Sequence, residues 1–287
     1  MKISEIYETK KKTLSFEIFP PKKECDLENI DETLSILCSL QPDFISVTFG
    51  AGGSINNNHT IEIARKIKND YGIEPVVHLT CLHYSRPEID EFAASLEREG
   101  IENVLALRGD ENDRAIPRND FMHSSDLISY MKKDHDLCFL GACYPECHPE
   151  SDDKISDIRF LKEKVDAGAD ILLSQLFFDN EVFYDHVEKC QIAGIRVPVI
   201  PGIMPVIKAS QTRRMVSICG ASIPKRFQKI IDKYENNDEA LFDAGMSYAI
   251  SQIIDLLVND VDGIHLYTMN NPVVAKRICA GIKNVLI

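Results

Sequence analysis

Leu14-Ser15-Phe16-Glu17-Ile18-Phe19-Pro20-Pro21 decides between two architectures. In an open, doubly wound sheet the first strand hands over to a glycine-rich turn that cradles a dinucleotide. This run reads as a strand but ends in Phe19-Pro20-Pro21, with no glycine. Working outward, short β-rich apolar runs recur at 14–19, 44–50, 75–80, 103–109, 138–144, 171–177, 197–203 and 263–269, each followed by helical periodicity. Several are apolar at nearly every position, as parallel strands covered on both faces must be. Eight such alternations predict an α/β fold, an eight-stranded β/α (TIM) barrel. A single domain is expected over 1–287, with extra helices between strands 7 and 8, at about 208–262.

The connecting segments carry helix signals. Residues 26–40 place Leu27, Ile30, Leu34 and Leu37 on one stripe. Ser85 and Glu88 form a capping-box pattern ahead of Ile89, Phe92, Ala93 and Leu96. Residues 156–167 read as a helix closing at Gly168, and Asp179 is placed to cap the next.

Composition narrows the function. A net charge of −13 argues against non-specific nucleic-acid binding, which needs clustered Lys and Arg. No apolar run approaches the roughly 18 residues of a spanning helix, so no membrane association is expected. Residues 1–12 are charged and polar, unlike a secretory signal, which predicts a cytoplasmic protein. Nine scattered cysteines then read as reduced thiols.

In a β/α barrel the chemistry sits at the C-terminal strand ends. Alternation puts Glu17 on the face opposite Phe16 and Ile18, and a carboxylate inside a barrel mouth is costly unless used or paired. The second strand end offers Gly50, Gly52 and Gly53, where a backbone can approach a ligand closely. The third carries His78, which equally suits a satisfied core histidine. The fourth carries Arg108-Gly109-Asp110, which equally suits a local ion pair. Cys143, Cys147 and His148 could ligate a metal, but their spacing is not a usual zinc pattern, and no metal is expected. No lysine lies within the eight strands, against a Schiff-base aldolase. Polar or glycine residues at nearly every strand end suit a large cofactor site.

Together these motifs carry a resemblance. Residues 15–21, 46–53, 78–81, 106–110, Tyr144-Pro145-Glu146, His148-Pro149-Glu150, 164–169, Gln175 with Phe177-Phe178-Asp179, 200–205 and Tyr267-Thr268 resemble the methylenetetrahydrofolate reductase family, in its order, across nearly the whole chain. The match is to the short bacterial form. The resemblance implies FAD at the strand ends, with NADH more often than NADPH giving hydride to the flavin. The flavin then passes hydride to 5,10-methylenetetrahydrofolate, yielding 5-methyltetrahydrofolate in a ping-pong cycle. It implies Glu17 as general acid and Asp110 as a carboxylate near flavin and pterin. Gln175 and Tyr267 would hold the folate. Thr48, His78, Arg108, Gly109, Asp110, Ala142, Tyr144, His148, Asp157 and Lys164 would contact FAD, with Arg108 and Lys164 answering its pyrophosphate. A homo-oligomer is implied. A flavin fed by an electron-transfer partner subunit, or a non-catalytic flavin- or folate-binding subunit, are the alternatives. The chain departs from some relatives at Asn271, Glu163 and Ala209, which bear on the nicotinamide and folate contacts.

Overall fold

A computed structural model describes residues 1–21, 27–49, 57–111 and 117–286, and side chains within these except for 27–29 and 57–58. The glycine turn at 50–54 and Cys25 lie outside the described residues.

The chain opens with α1 (Ile3–Thr9) and β1 (Thr13–Ile18), followed by α2 (Leu27–Ser39), β2 (Phe44–Val47), α3 (Asn57–Tyr71), β3 (Glu74–Thr80), α4 (Arg86–Arg98) and β4 (Asn103–Leu107). The second half runs α5 (Ser124–Met131), β5 (Cys138–Cys143), α6 (Lys154–Asp166), β6 (Ile171–Ser174), α7 (Asn180–Ile192), β7 (Val199–Ile200) and β8 (Gly202–Ile203). Then come α8 (Ala209–Cys219), α9 (Lys225–Tyr234), α10 (Asp238–Val258), β9 (Gly263–Tyr267) and α11 (Pro272–Ile282).

All strands are parallel, in the order β7-β6-β5-β4-β3-β2-β1-β9-β8. The two outermost members are pieces of one segment. β7 pairs with β6, β8 pairs with β9, and Pro201 between them has no N–H for either ladder. Its carbonyl still accepts from His265 N–H at 3.0 Å. One seventh strand, split at a proline, therefore joins both edges of the sheet, and the eight expected strand positions form the barrel.

The expected strands ran too long at their C-terminal ends. Strand 6 stops at Ser174 instead of 177, strand 4 at Leu107 instead of 109, and strand 2 at Val47 instead of 50. The overrun mixes apolar Phe49, Leu176 and Phe177 with Thr48, Arg108, Gly109 and Gln175, and the regular ladder ends where these polar and glycine residues begin. The helix expected at 156–167 begins earlier, because Asp153 caps it by accepting from Ile155 and Ser156 N–H. Asp179 caps α7, and Glu88 reaches back to Ser85 N–H at 2.7 Å.

The inside of the barrel holds Phe44, Val76, Leu105, Cys138, Leu140, Ile171, Leu173 and Ile200, packed with Ile3 from α1. Register with Phe44 and Ser46 sets Ser15 and Glu17 on that inner face, while Leu14, Phe16 and Ile18 join the larger core outside the sheet. β1 thus turns its polar side inward.

Helix α1 was not foreseen, because residues 1–12 read as polar and charged. It plugs the N-terminal end of the barrel with a fully buried Ile3. Asn103 ties it down: Oδ1 accepts from Ile3 N–H at 2.8 Å, and Nδ2 donates to Met1 O at 3.1 Å and Pro75 O at 3.4 Å. A second correction concerns α10, whose 21 residues are long and apolar enough by length and composition to cross a membrane. It lies instead against α11 and α9, with Leu241, Met246, Ile253 and Leu256 fully buried. Gly245 lets α10 also approach the segment between β8 and α8, since a Cβ there would fall 1.8 Å from Val206 O.

Candidate active site

Glu17 sits at the top of β1, in register with Ser46 on β2 and Tyr267 on β9. It is only 8% exposed. Its Oε2 lies 3.5 Å from His78 Nε2 and 3.8 Å from His265 Nε2. Both histidines are buried. Burial pulls the His78 imidazole down to about 4, partly offset by the nearby carboxylate, so it is neutral at neutral pH. His78 Nε2 makes no hydrogen bond in this structure. The sequence left His78 open between core and cofactor roles. The structure sets it beside Glu17.

His265 lies within the apolar run 263–269 and was not singled out in the sequence. It shares an inward face with Tyr267, and the alternation that singled out Glu17 singles it out too. Its ring stacks on Phe44 at 6.1 Å and meets the Tyr267 edge at 5.3 Å. Ser15 Oγ stands 2.8 Å from its Nδ1, and Ser46 Oγ 3.5 Å from its Nε2.

Tyr267 is pinned at the mouth by donating its hydroxyl to Ser174 O at 2.7 Å, and burial raises its phenol well above the ordinary value. Gly202 makes room, because a Cβ there would lie 2.3 Å from Ser174 O and 2.7 Å from the tyrosine hydroxyl. Gln175 is held by its own backbone: Oε1 accepts from Leu176 N–H at 2.8 Å. Thr268 Oγ1 donates to Glu17 O at 2.7 Å. Asn270 grips Phe19 on both main-chain polar atoms, at 2.8 Å each.

On the other side of the mouth, Arg108 does not pair with Asp110. Its fork donates to both carboxylate oxygens of Glu150 at 2.6 Å, 42 residues away, and that carboxylate raises the guanidinium's affinity for its proton. Gly109, at φ +85°, turns the chain so that Asp110 is exposed. Lys164 reaches from α6 across Gly141 and donates to Ala142 O at 2.6 Å, and burial lowers its proton affinity. Tyr144 and His148 meet edge to face at 4.5 Å; burial pushes the phenol up to about 12 and the imidazole down. Asp157 Oδ1 accepts from Ser151 Oγ at 3.0 Å. Thr48 N–H donates to Ile18 O, carrying the β1–β2 ladder one step into the mouth.

Two groups thus form along the strand ends. Glu17, His78, His265 and Tyr267 interact directly. Arg108, from the end of β4, and Lys164, reaching in from the last turn of α6, approach Tyr144, His148 and Asp157 around the end of β5. Among the described residues no group of three or more His, Cys, Asp or Glu is placed to hold a metal. Cys143 packs with Cys190, Ile158 and Leu161 in the helix layer. Asn271, one of the departures, caps α11 by accepting from Val273 and Val274 N–H.

Comparison with known proteins adds a separate line. The model of the methylenetetrahydrofolate reductase family matches residues 2–283. The chain belongs to the methylenetetrahydrofolate reductase family. It is 35% identical over 284 residues to methylenetetrahydrofolate reductase (NADH) 1 of Arabidopsis thaliana, covering 94% of this chain and 48% of the plant protein. It is 34% identical over 266 residues to 5,10-methylenetetrahydrofolate reductase of Pectobacterium carotovorum, covering 93% of this chain and 88% of that one. The chain therefore spans about half the length of the plant reductases it matches and most of the bacterial one. Among solved structures, an uncharacterized Clostridium thermocellum protein that binds two copies of 5-methyl-5,6,7,8-tetrahydrofolic acid superposes with a TM-score of 0.64 at 14% identity, covering 98% of this chain and 97% of that chain. At that identity the likeness is one of fold.

Proposed function

We propose that this chain reduces 5,10-methylenetetrahydrofolate to 5-methyltetrahydrofolate, with NADH as hydride donor and FAD as its cofactor. The observation that carries the reading is Glu17: a carboxyl buried at a barrel mouth, bracketed by two imidazoles, in a chain of this family. A carboxyl placed at such a mouth can serve as general acid toward a substrate bound there. NADH is favoured by the relatives named as NADH-dependent.

The residues present fit FAD. Arg108 and Lys164 offer cationic donors in an otherwise acidic protein, and the unbonded Nε2 of His78 offers a buried polar atom to a ligand. When bound, FAD would supply the two-electron relay between nicotinamide and folate. The rest belongs to the chain. Glu17 would protonate the folate nitrogen whose departure opens the five-membered ring to a reactive iminium. Asp110, exposed and anionic, would favour that cation. Gln175, with its Oε1 engaged by backbone, would turn its amide donors to the pterin edge. Tyr267, locked through Ser174, would support the bound folate. Arg108 must exchange Glu150 for a phosphate if it is to hold the cofactor's pyrophosphate. A non-catalytic binding subunit would have no use for the acid. Eight free cysteines among the described residues support a reducing, cytoplasmic setting.

The test is an absorbance spectrum of the protein reconstituted with FAD, followed by anaerobic NADH. A bound flavin spectrum that NADH bleaches is expected. A bound flavin that NADH leaves oxidised would point to a protein electron donor instead, and failure to bind FAD would sink the proposal.

A further inference from the structure

The seventh strand changes sides at Pro201, and the change opens a gap in the ladder at the mouth. Before the proline β7 pairs with β6, and the last pair is Leu173 with Ile200. After it β8 has moved to β9, where Gly202 pairs with His265. Ser174, the last residue of β6, pairs with Cys143 on β5 but lies beyond the last ladder pair on its other side. Side chains close the seam there.

Ser174 is fully buried and makes three bonds whose directions are fixed by their partners. Gly202 N–H can only donate, and it does so to Ser174 Oγ at 2.9 Å. The hydroxyl hydrogen then goes to Gln175 O, a carbonyl that can only accept, at 3.0 Å. Ser174 O takes the Tyr267 hydroxyl at 2.7 Å. There is no slack at this point, because a Cβ on Gly202 would strike both Ser174 O and the Tyr267 ring. Gln175 is fixed from the same side: its N–H donates to Cys143 O at 2.7 Å and its Oε1 accepts from Leu176 N–H at 2.8 Å. With its backbone and Oε1 committed, Gln175 has its Nε2 donors left for a ligand.

We propose that Ser174 is a positioning residue for the folate, its hydroxyl tying the end of β6 to β8 so that Gln175 and Tyr267 keep a fixed spacing across the seam. This deepens the reading of Gln175 and Tyr267 as the side chains that hold the folate and rests on it. Without the hydroxyl, Gly202 N–H becomes a buried donor with no acceptor and Gln175 O loses its bond. The peptide that receives the Tyr267 hydroxyl is then free to shift against β8. Displacing groups that hold a substrate together costs binding even when each group is still present.

The experiment compares Ser174→Ala with Ser174→Thr, which keeps the hydroxyl on a β-branched side chain suited to a strand. Each protein is loaded with FAD, reduced by NADH and mixed in stopped flow with 5,10-methylenetetrahydrofolate at a series of concentrations. In Ser174→Ala the half-saturating folate concentration should rise about tenfold, the worth of one hydrogen bond, with the limiting rate within about twofold of wild type. Ser174→Thr should return half-saturation to within about threefold of wild type. Flavin reduction by NADH should be unaltered in both variants and reports that each is folded and loaded. Unmoved half-saturation in Ser174→Ala, a fall in the limiting rate together with the NADH step, or a threonine variant no better than alanine would each overturn the proposal. A second measurement does not depend on turnover. Amide hydrogen exchange at Gly202, read by NMR, should be slow in wild type and roughly tenfold faster in Ser174→Ala, and equal rates would also overturn it. If reduced wild type is not reoxidised by the folate at any concentration, the functional reading fails first, while exchange at Gly202 still reports whether the seam is tied by Ser174.

Discussion

The two ends of the barrel treat inward-facing polar residues in opposite ways. At the N-terminal end Asn103 is fully buried and uses its whole amide on Ile3, Met1 and Pro75, while Thr13 is bonded to Tyr7 at 2.9 Å. At the C-terminal mouth Glu17 rests at 3.5 and 3.8 Å from two imidazole nitrogens, and His78 Nε2 has no hydrogen bond. Buried polar groups are normally satisfied, because an orphan costs roughly 1–3 kcal/mol. A fully bonded set at one end and a partly bonded set at the other set the plug, which stabilises, apart from the mouth, the end at which β/α barrels carry their chemistry.

Substitutions at each end should separate the two roles. The largest effect is expected for Glu17→Gln, which should lower folate reduction by roughly 10²–10⁴-fold while flavin reduction by NADH persists. Stopped-flow traces of both half-reactions would show this, and full folate turnover in the variant would remove Glu17 from the mechanism. Next, Arg108→Ala should weaken FAD binding by about 10- to 100-fold, the worth of a charge-assisted hydrogen bond of roughly 1.5–3 kcal/mol. A fluorescence titration with FAD measures it. Unchanged affinity would mean that Arg108 serves Glu150 alone.

At the other end, Asn103→Ala should cost about 1–3 kcal/mol of stability by orphaning Ile3 N–H and the carbonyls beneath it. The turnover number of the folded fraction should stay at the wild-type value. Denaturant unfolding with parallel assays reads both, and lost turnover at full stability would break the contrast between the ends.

A further expected effect is a pH slope. Burial lowers His78 and His186 from the usual 6.5 to about 4. Between these values the unfolded chain takes up protons that the folded chain refuses. Their contribution is therefore complete above pH 6.5 and is lost as pH falls toward 4, at up to about 1.4 kcal/mol per pH unit for each group. Urea midpoints at pH 7.5 and 5 should differ accordingly, and His186→Gln should reduce the difference.

Much of this was legible in the sequence. The eight strand positions follow from apolar runs that only a covered parallel sheet requires, and Glu17 stands out because it is charged on the inner side of such a run. What was hidden depends on partners far apart in the chain. Ser15 and His265 are 250 residues apart, Arg108 and Glu150 are 42 apart, and no local pattern joins either pair. Helix α1 was obscured because one buried residue, Ile3, anchors an otherwise polar segment. The strand ends were overestimated because apolar residues such as Phe49, Leu176 and Phe177 continue past the last ladder pair.

The most direct test of the central claim is product analysis. Wild-type protein with FAD, NADH and 5,10-methylenetetrahydrofolate should form one 5-methyltetrahydrofolate for each NADH consumed, quantified by chromatography with mass detection. NADH oxidation that leaves the folate unchanged would contradict the account.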